Sequence, residues 1–184
     1  MMGKSSLSYA KALFLLDKEN GNVALSKKEL GELSSFLSSQ EGEELSSFLS
    51  SFALPYEKKL EVLSKAVLSS LSSKNLIAFL KLILSKNLFS ELPHIERDYR
   101  TLANEYLGID EGVVYSVRPL TKEEITKIEK SLSKKHGCAV ELENKTDPRL
   151  IGGVKVYVGN KLYDQSIEGR IESLRAKLLK GGNL

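Results

Sequence analysis

Tryptophan is missing from this 184-residue chain, cysteine occurs once, histidine twice and proline four times. A lone Cys138 excludes an intramolecular disulfide framework and fits a reducing compartment. Two histidines and one cysteine, with His94 far from the other two in sequence, make a poor metal-ligand set. His136 and Cys138 lie too close together, at a helix end and a strand start, to suggest a nucleophile–base pair, and they read as structural. No apolar run reaches the roughly 20 residues that a bilayer span needs, and the longest, Leu76–Leu84, is interrupted by Lys81. The opening MMGKSSLSYAK holds neither a cleavable apolar core nor the arginines of an organelle transit peptide. The expectation is a soluble protein that meets a membrane only through a partner, with no cofactor, no metal and no catalytic residue.

Charge of one sign is scarce as well. The net charge is +3 with a pI near 8.8, too mild to demand nucleic acid or an anionic membrane. Up to Leu107, 13 basic residues face 13 acidic ones, and the remainder carries 14 against 11. The whole excess therefore lies in the C-terminal part. Its longest basic run, Lys134-Lys135-His136, reads as a helix C-terminus, where cations offset the helix dipole. The hydrophobic content of 41% and charged content of 28% are ordinary for a globular chain.

What is present in the first hundred residues is helix grammar. Leu7, Ala10, Leu13 and Phe14 share one helical face, and Tyr9, Ala12 and Leu16 a flanking one. Asn20-Gly21-Asn22 stops that helix, and Ser26 is placed to cap a second through Leu30, Leu33 and Leu37. The heptapeptide LSSFLSS stands at 33–39 and again at 45–51, which is too little repetition for a solenoid. Serine is a mediocre helix former, about half a kcal/mol per residue below alanine, so these segments depend on tertiary packing. Pro55 suits the first turn of a fourth helix. Asn75 is the expected cap of a fifth, Leu76–Lys86, which is apolar nearly all round. Pro93 opens a sixth, closed by Gly108. A six-helix bundle over 1–107 follows.

The pattern then changes. Gly108–Gly112 reads as a linker, and Val113, Tyr115 and Val117 alternate as a strand. Thr121 and Glu124 form a capping box before a helix that buries Ile125, Ile128 and Leu132 and ends at Gly137. Cys138, Val140 and Leu142 form a second strand. Val154, Val156 and Val158 alternate with Lys155 and Tyr157 as a third. Gly159-Asn160 supplies a tight turn, and the returning Lys161–Asp164 brings Asp164 opposite Lys155. Ile167, Ile171, Leu174 and Leu178 then recur at helical spacing behind Ser166 or Asp164 as cap. The fold class is α+β, with a small α+β domain over 113–184. Nothing in it is a phosphate loop, since Gly153–Lys161 lacks the Gly-Lys-Ser/Thr ending and lies on a hairpin.

Tyr9-Ala10-Lys11-Ala12-Leu13, Asn75-Leu76-Ile77, Leu92-Pro93-His94-Ile95, Asp147-Pro148-Arg149-Leu150-Ile151-Gly152-Gly153 and Asp164-Gln165-Ser166-Ile167 occur in that order. Together they resemble the delta subunit of F-type ATP synthases, whose mitochondrial counterpart is the oligomycin-sensitivity-conferring protein. The run at 147–153 is the most specific, while the serine-rich middle of the helical part departs from the family pattern. The resemblance implies a non-catalytic stator subunit of a proton-translocating ATP synthase, and with no transit peptide visible the expected place is the cytoplasmic side of a bacterial plasma membrane. It implies that the N-terminal bundle binds the N-terminal helices of alpha subunits and that the C-terminal domain joins the b subunits of the peripheral stalk.

For the alpha site the expected residues are Tyr9, Ala12 and Leu16 of the first helix with Leu76, Phe79 and Ile83 of the fifth. The bland reading, that all six face the bundle core, stands beside it. For the stalk site the expected residues are Gly152, Gly153, Arg170, Ile171, Leu174, Arg175 and Leu178. Here the glycines read first as internal packing and the apolar positions first as core. The competing function is a small nucleic-acid-binding adaptor that would stack bases on Tyr115, Tyr157 and Tyr163, although no arginine-rich stripe accompanies them.

Overall fold

A computed structural model describes residues 3–181, and the chain divides between Leu107 and Gly108 into two compact units. In the first, α1 Gly3–Asn20, α2 Val23–Leu37, α3 Gln40–Ser50, α4 Tyr56–Ala66, α5 Lys74–Ser85 and α6 Leu92–Leu107 follow in order. Short 3-10 turns stand at Leu68–Ser70 and Phe89–Glu91. The apolar stripes of the six helices share one core that includes Leu13, Leu30, Leu49, Leu63, Leu80 and Ile95. α6 packs along both α1 and α2.

Polar groups inside this unit join the helices. Asp17 is wholly buried, accepting hydrogen bonds from the Tyr99 hydroxyl at 2.7 Å and the Asn75 amide at 2.9 Å. One carboxylate therefore links α1, α5 and α6. Burial first, and then this carboxylate, push the Tyr99 hydroxyl far above the usual tyrosine range. Ser73, not Asn75, caps α5 by accepting from the Leu76 N–H. Glu29 of α2 accepts from the N–H groups of Ser72 and Ser73 at 2.7 and 3.0 Å, so one helix closes the positive end of another. Ser26 does not cap α2, which already begins at Val23; it is buried and shares a 2.8 Å hydrogen bond with Ser73. The two LSSFLSS copies diverge as well: the first ends α2 and supplies Ser39 as the cap of α3, and the second ends α3.

The second unit comprises β1 Ile109–Ser116, α7 Lys122–His136, β2 Ala139–Thr146, β3 Val154–Val158, β4 Lys161–Asp164 and α8 Ile167–Gly181. The sheet order is β2-β1-β3-β4. β1 and β2 are parallel, with α7 as their crossover, and β3 and β4 form the hairpin. Lys155 faces Asp164 across that hairpin, Nζ to Oδ2 being 3.7 Å. Val114, Leu132, Val140, Leu142, Val156 and Val158 make the core between α7 and the sheet.

The linker expected over 108–112 shrinks to Gly108, whose φ of +64° turns the chain. Ile109 to Gly112 belong to β1 and pair with β2 from Ile109 opposite Ala139. Glycine and acidic residues look like a loop locally, but the partner strand that satisfies their backbone lies some thirty residues on. β1 also buries Val114 and Ser116, while Val113 and Tyr115 occupy the other face of the strand and Val117 lies beyond it. The capping box forms as read: Thr121 Oγ1 accepts from the Glu124 N–H, and Glu124 accepts from the Thr121 N–H.

Candidate partner-binding surfaces

In α1, Ser6, Ala10, Leu13 and Asp17 form the buried stripe. Helical spacing then puts Tyr9, Ala12 and Leu16 on one flank of it. Tyr9 is half-buried, with its ring edge-on to Phe79 of α5, the centroids 6.5 Å apart. Ala12 and Leu16 are exposed, Leu16 by 51%. The α1 half of the expected alpha site is therefore on the surface.

The α5 half divides differently. Leu76 and Ile83 have no exposed area and Phe79 only 7%. Leu76 and Ile83 are core, and Phe79 reaches the flank only through its contact with Tyr9. The residue that does stand out is Leu82, 46% exposed and three positions on from Phe79, where helical neighbours meet. Leu76, Leu80 and Ile83 follow the core spacing i, i+4, i+7, and this spacing leaves Leu82 outside. That phase was the available signal. It was blurred because α5 is apolar on nearly every side.

In the second unit, Ser166 caps α8 by accepting from the Gly169 N–H at 3.1 Å, while Asp164 accepts from the Ser166 N–H and hydroxyl. The Ser166 hydroxyl holds the Asp164 carboxyl below its usual range. Glu168 is tied to the preceding loop by accepting from the Ile151 N–H at 2.7 Å, which lowers its pKa. Beyond this anchored start, the helix presents apolar groups to solvent. Ile171, Leu174, Leu178 and Leu179 are 58%, 60%, 78% and 74% exposed. The default expectation of a buried stripe is thus overturned, because no other element among the described residues packs closely along α8. Arg170 and Arg175 are exposed on the same helix. Gly152 is half-buried and Gly153 exposed, and both lie close against the segment that opens α8. The Gly152 carbonyl accepts from the Ile167 N–H at 3.0 Å, and a Cβ on Gly153 would sit 2.4 Å from the Gln165 carbonyl oxygen.

The aromatic set of the nucleic-acid reading is engaged within the chain. Tyr115 and Tyr157 meet edge to face at 5.8 Å, and the Tyr163 hydroxyl lies 2.7 Å from His136 Nε2. Arg149 beside them is paired with Asp147 at 3.0 Å, which keeps the Asp147 carboxyl below its usual range.

Residues 6–178 match the profile of the family described as ATP synthase delta (OSCP) subunit. The chain belongs to the ATP synthase delta (OSCP) family. It is 32% identical over 185 residues to the ATP synthase subunit delta of Bacillus licheniformis, covering 96% of each chain. Identity to the subunit delta of Bacillus cytotoxicus is 35% over 173 residues, 94% of each. To that of Clostridioides difficile it is 31% over 170 residues, 92% of this chain and 93% of the relative. Among solved structures, a chain of the Toxoplasma gondii mitochondrial ATP synthase hexamer has the same fold, with a TM-score of 0.60, 20% identity, and coverage of 95% of this chain and 97% of that one. Membership of the delta (OSCP) family makes the chain a structural, non-catalytic stator component of an F-type ATP synthase. Its membrane association is that of the complex, and no helix among the described residues is long and apolar enough to cross a bilayer.

Proposed function

We propose that the chain tethers the catalytic head to the peripheral stalk of a proton-translocating bacterial ATP synthase through two separate grips, on the cytoplasmic side of the plasma membrane. The six-helix unit receives the N-terminal helices of alpha subunits on the α1–α5 face, with Tyr9, Ala12, Leu16 and Leu82 as the contact and Phe79 as its floor. The second unit holds the b subunits along α8 through Ile171, Leu174, Leu178 and Leu179, with Arg170 and Arg175 at the rim. Torque on the central shaft produces ATP only if the head cannot turn with it. The task is therefore firm binding at both ends and no bond chemistry.

The observation that carries this reading is the exposed apolar stripe of α8. Fully burying a leucine side chain contributes roughly 1.5–3 kcal/mol, and with Leu174, Leu178 and Leu179 still 60%, 78% and 74% exposed most of that is left for a partner to supply. Amphipathic helix-in-groove recognition suits both surfaces, and a standard interface of about 800 Å² per partner fits on units of this size.

Substitutions test the grips. Phe79→Glu would strike the core together with the face, so Leu16→Glu and Leu82→Glu on the surface are the cleaner variants. Both should weaken binding of an alpha N-terminal peptide by tenfold or more while the urea midpoint is unchanged. Leu174→Glu with Leu178→Glu should remove b subunits from a pull-down of solubilised membranes. Folded variants that keep both partners at wild-type affinity would sink the assignment.

A further inference from the structure

The fold brings Asp110, distant in sequence, to His136 and Cys138, which stand two residues apart. Asp110 lies at the start of β1, His136 is the last residue of α7, and Cys138 directly precedes β2. The parallel β1–β2 register sets Asp110 beside Val140, and the left-handed turn at Gly137 carries Cys138 back toward His136. The Cys138 Sγ donates to Asp110 Oδ2 at 3.1 Å, and His136 Nδ1 is 3.4 Å from the same oxygen. One oxygen, one nitrogen and one sulfur thus all lie within 4.8 Å of one another. On the far side of the imidazole, the Tyr163 hydroxyl is 2.7 Å from Nε2.

We infer that Asp110, His136 and Cys138 form a binding site for one zinc ion. Metal–ligand lengths of ~2.3 Å to sulfur and ~2.0–2.2 Å to nitrogen and oxygen give tetrahedral edges of about 3.4–3.6 Å. Two edges, at 3.1 and 3.4 Å, are close to these lengths, and the third, between nitrogen and sulfur, lies within 4.8 Å, so side-chain rotations that draw the three groups around a common centre admit the ion. The donor set is chemically selective, since a thiolate and an imidazole favour zinc over the hard cations magnesium and calcium. Charge balances, because one carboxylate, one thiolate and one neutral imidazole neutralise a divalent ion. On binding, the thiol proton of Cys138 leaves to solvent as the Zn–S bond forms. Coordination through Nδ1 leaves the imidazole proton on Nε2, where it donates to the Tyr163 hydroxyl, the outer partner that metal-bound histidines generally have. The C-terminus of α7 points its negative dipole end at the same place. The His136 side chain is 8% exposed while that of Asp110 is 52% exposed, so the fourth position opens toward water on the Asp110 side. The ion would pin the first residues of β1 to the α7–β2 turn.

The test uses the full chain stripped of metal, titrated with Zn2+ by calorimetry and with Co2+ by optical absorption. One equivalent is expected, with an intense tetrahedral Co2+ spectrum that includes a thiolate charge-transfer band. Cys138→Ser should abolish that band, and Cys138→Ser, His136→Gln and Asp110→Asn should each weaken Zn2+ binding by more than the roughly tenfold that loss of an outer partner costs. Tyr163→Phe should weaken it less, and His94→Gln should not change it. The Asp110 side chain is exposed enough that Asp110→Asn keeps the fold, verified by circular dichroism. A folded wild type without the charge-transfer band, or Zn2+ uptake by Asp110→Asn and Cys138→Ser equal to wild type, would overturn the site. A loss caused by His94→Gln would do the same.

Discussion

Gly152 and Gly153 are adjacent and chemically identical, yet a methyl group on each would meet different things. At Gly153 the backbone has a φ of +78° and the added Cβ would press on the Gln165 carbonyl oxygen, which is backbone and has nowhere to go. At Gly152 it would meet the Cδ1 of Ile167 at 2.7 Å, the far end of a side chain that is 44% exposed and free to swing. Gly153→Ala should therefore cost on the order of 1–3 kcal/mol in urea unfolding, and Gly152→Ala about 0.5 kcal/mol or less. The reverse order would refute this account of the turn. Which of two neighbouring glycines is indispensable was not legible in the sequence, because the atoms that decide it come from the start of α8. The same holds for Leu76 and Leu82, both apolar and both on α5: one is core and the other surface, and only the position of the neighbouring helices separates them.

Elements with local causes were the most legible. The capping box at Thr121, the stop at Gly137 and the hairpin at Gly159-Asn160 all form as the residues indicate, since each depends on contacts within a few positions. The capping box also makes a pH prediction. Arg118, bonded bidentately to Glu124 at 2.7 and 3.1 Å, and then the Thr121 N–H lower the Glu124 carboxyl from its ordinary 4.5 to about 2. A depressed carboxylate stabilises the fold fully above its unfolded value, and that contribution is lost as pH falls through the folded value. The difference in melting temperature between wild type and Glu124→Gln should thus be full above about pH 4.5, shrink below it and vanish near pH 2. Because the pair is exposed, added salt should shrink it at every pH. A difference that persisted at pH 2 would point to packing rather than charge. Helix caps that involve other helices were less legible: the N-terminus of α5 is closed by Ser73 and by Glu29 from α2, whereas Asn75 turns to Asp17.

At the scale of the whole molecule, the two apolar surfaces lie on separate units with separate cores. Substitutions that share no partner add, within about 0.5 kcal/mol. Leu16→Glu should accordingly leave binding of the b subunits at wild-type strength, and Leu174→Glu should leave the alpha peptide's affinity unchanged. The double variant should show the sum of the two losses. Coupling well beyond that margin would mean that one grip reports on the other, which two independent tethers do not do.

Periodicity and punctuation in the sequence were enough to place most helices and strands approximately, to divide a helical half from a mixed half, and to carry the family resemblance. All of these depend on spacing along the chain, while the serine-rich third helix had no boundary of its own in the sequence. The tertiary structure alone decided that Gly108–Gly112 is mostly strand, that α8 stands uncovered, that Leu76 and Ile83 are core, and that Asp110, His136 and Cys138 converge. The reason is common to all four. Burial and proximity belong to pairs of segments distant in sequence, and no single segment encodes which partner will lie against it.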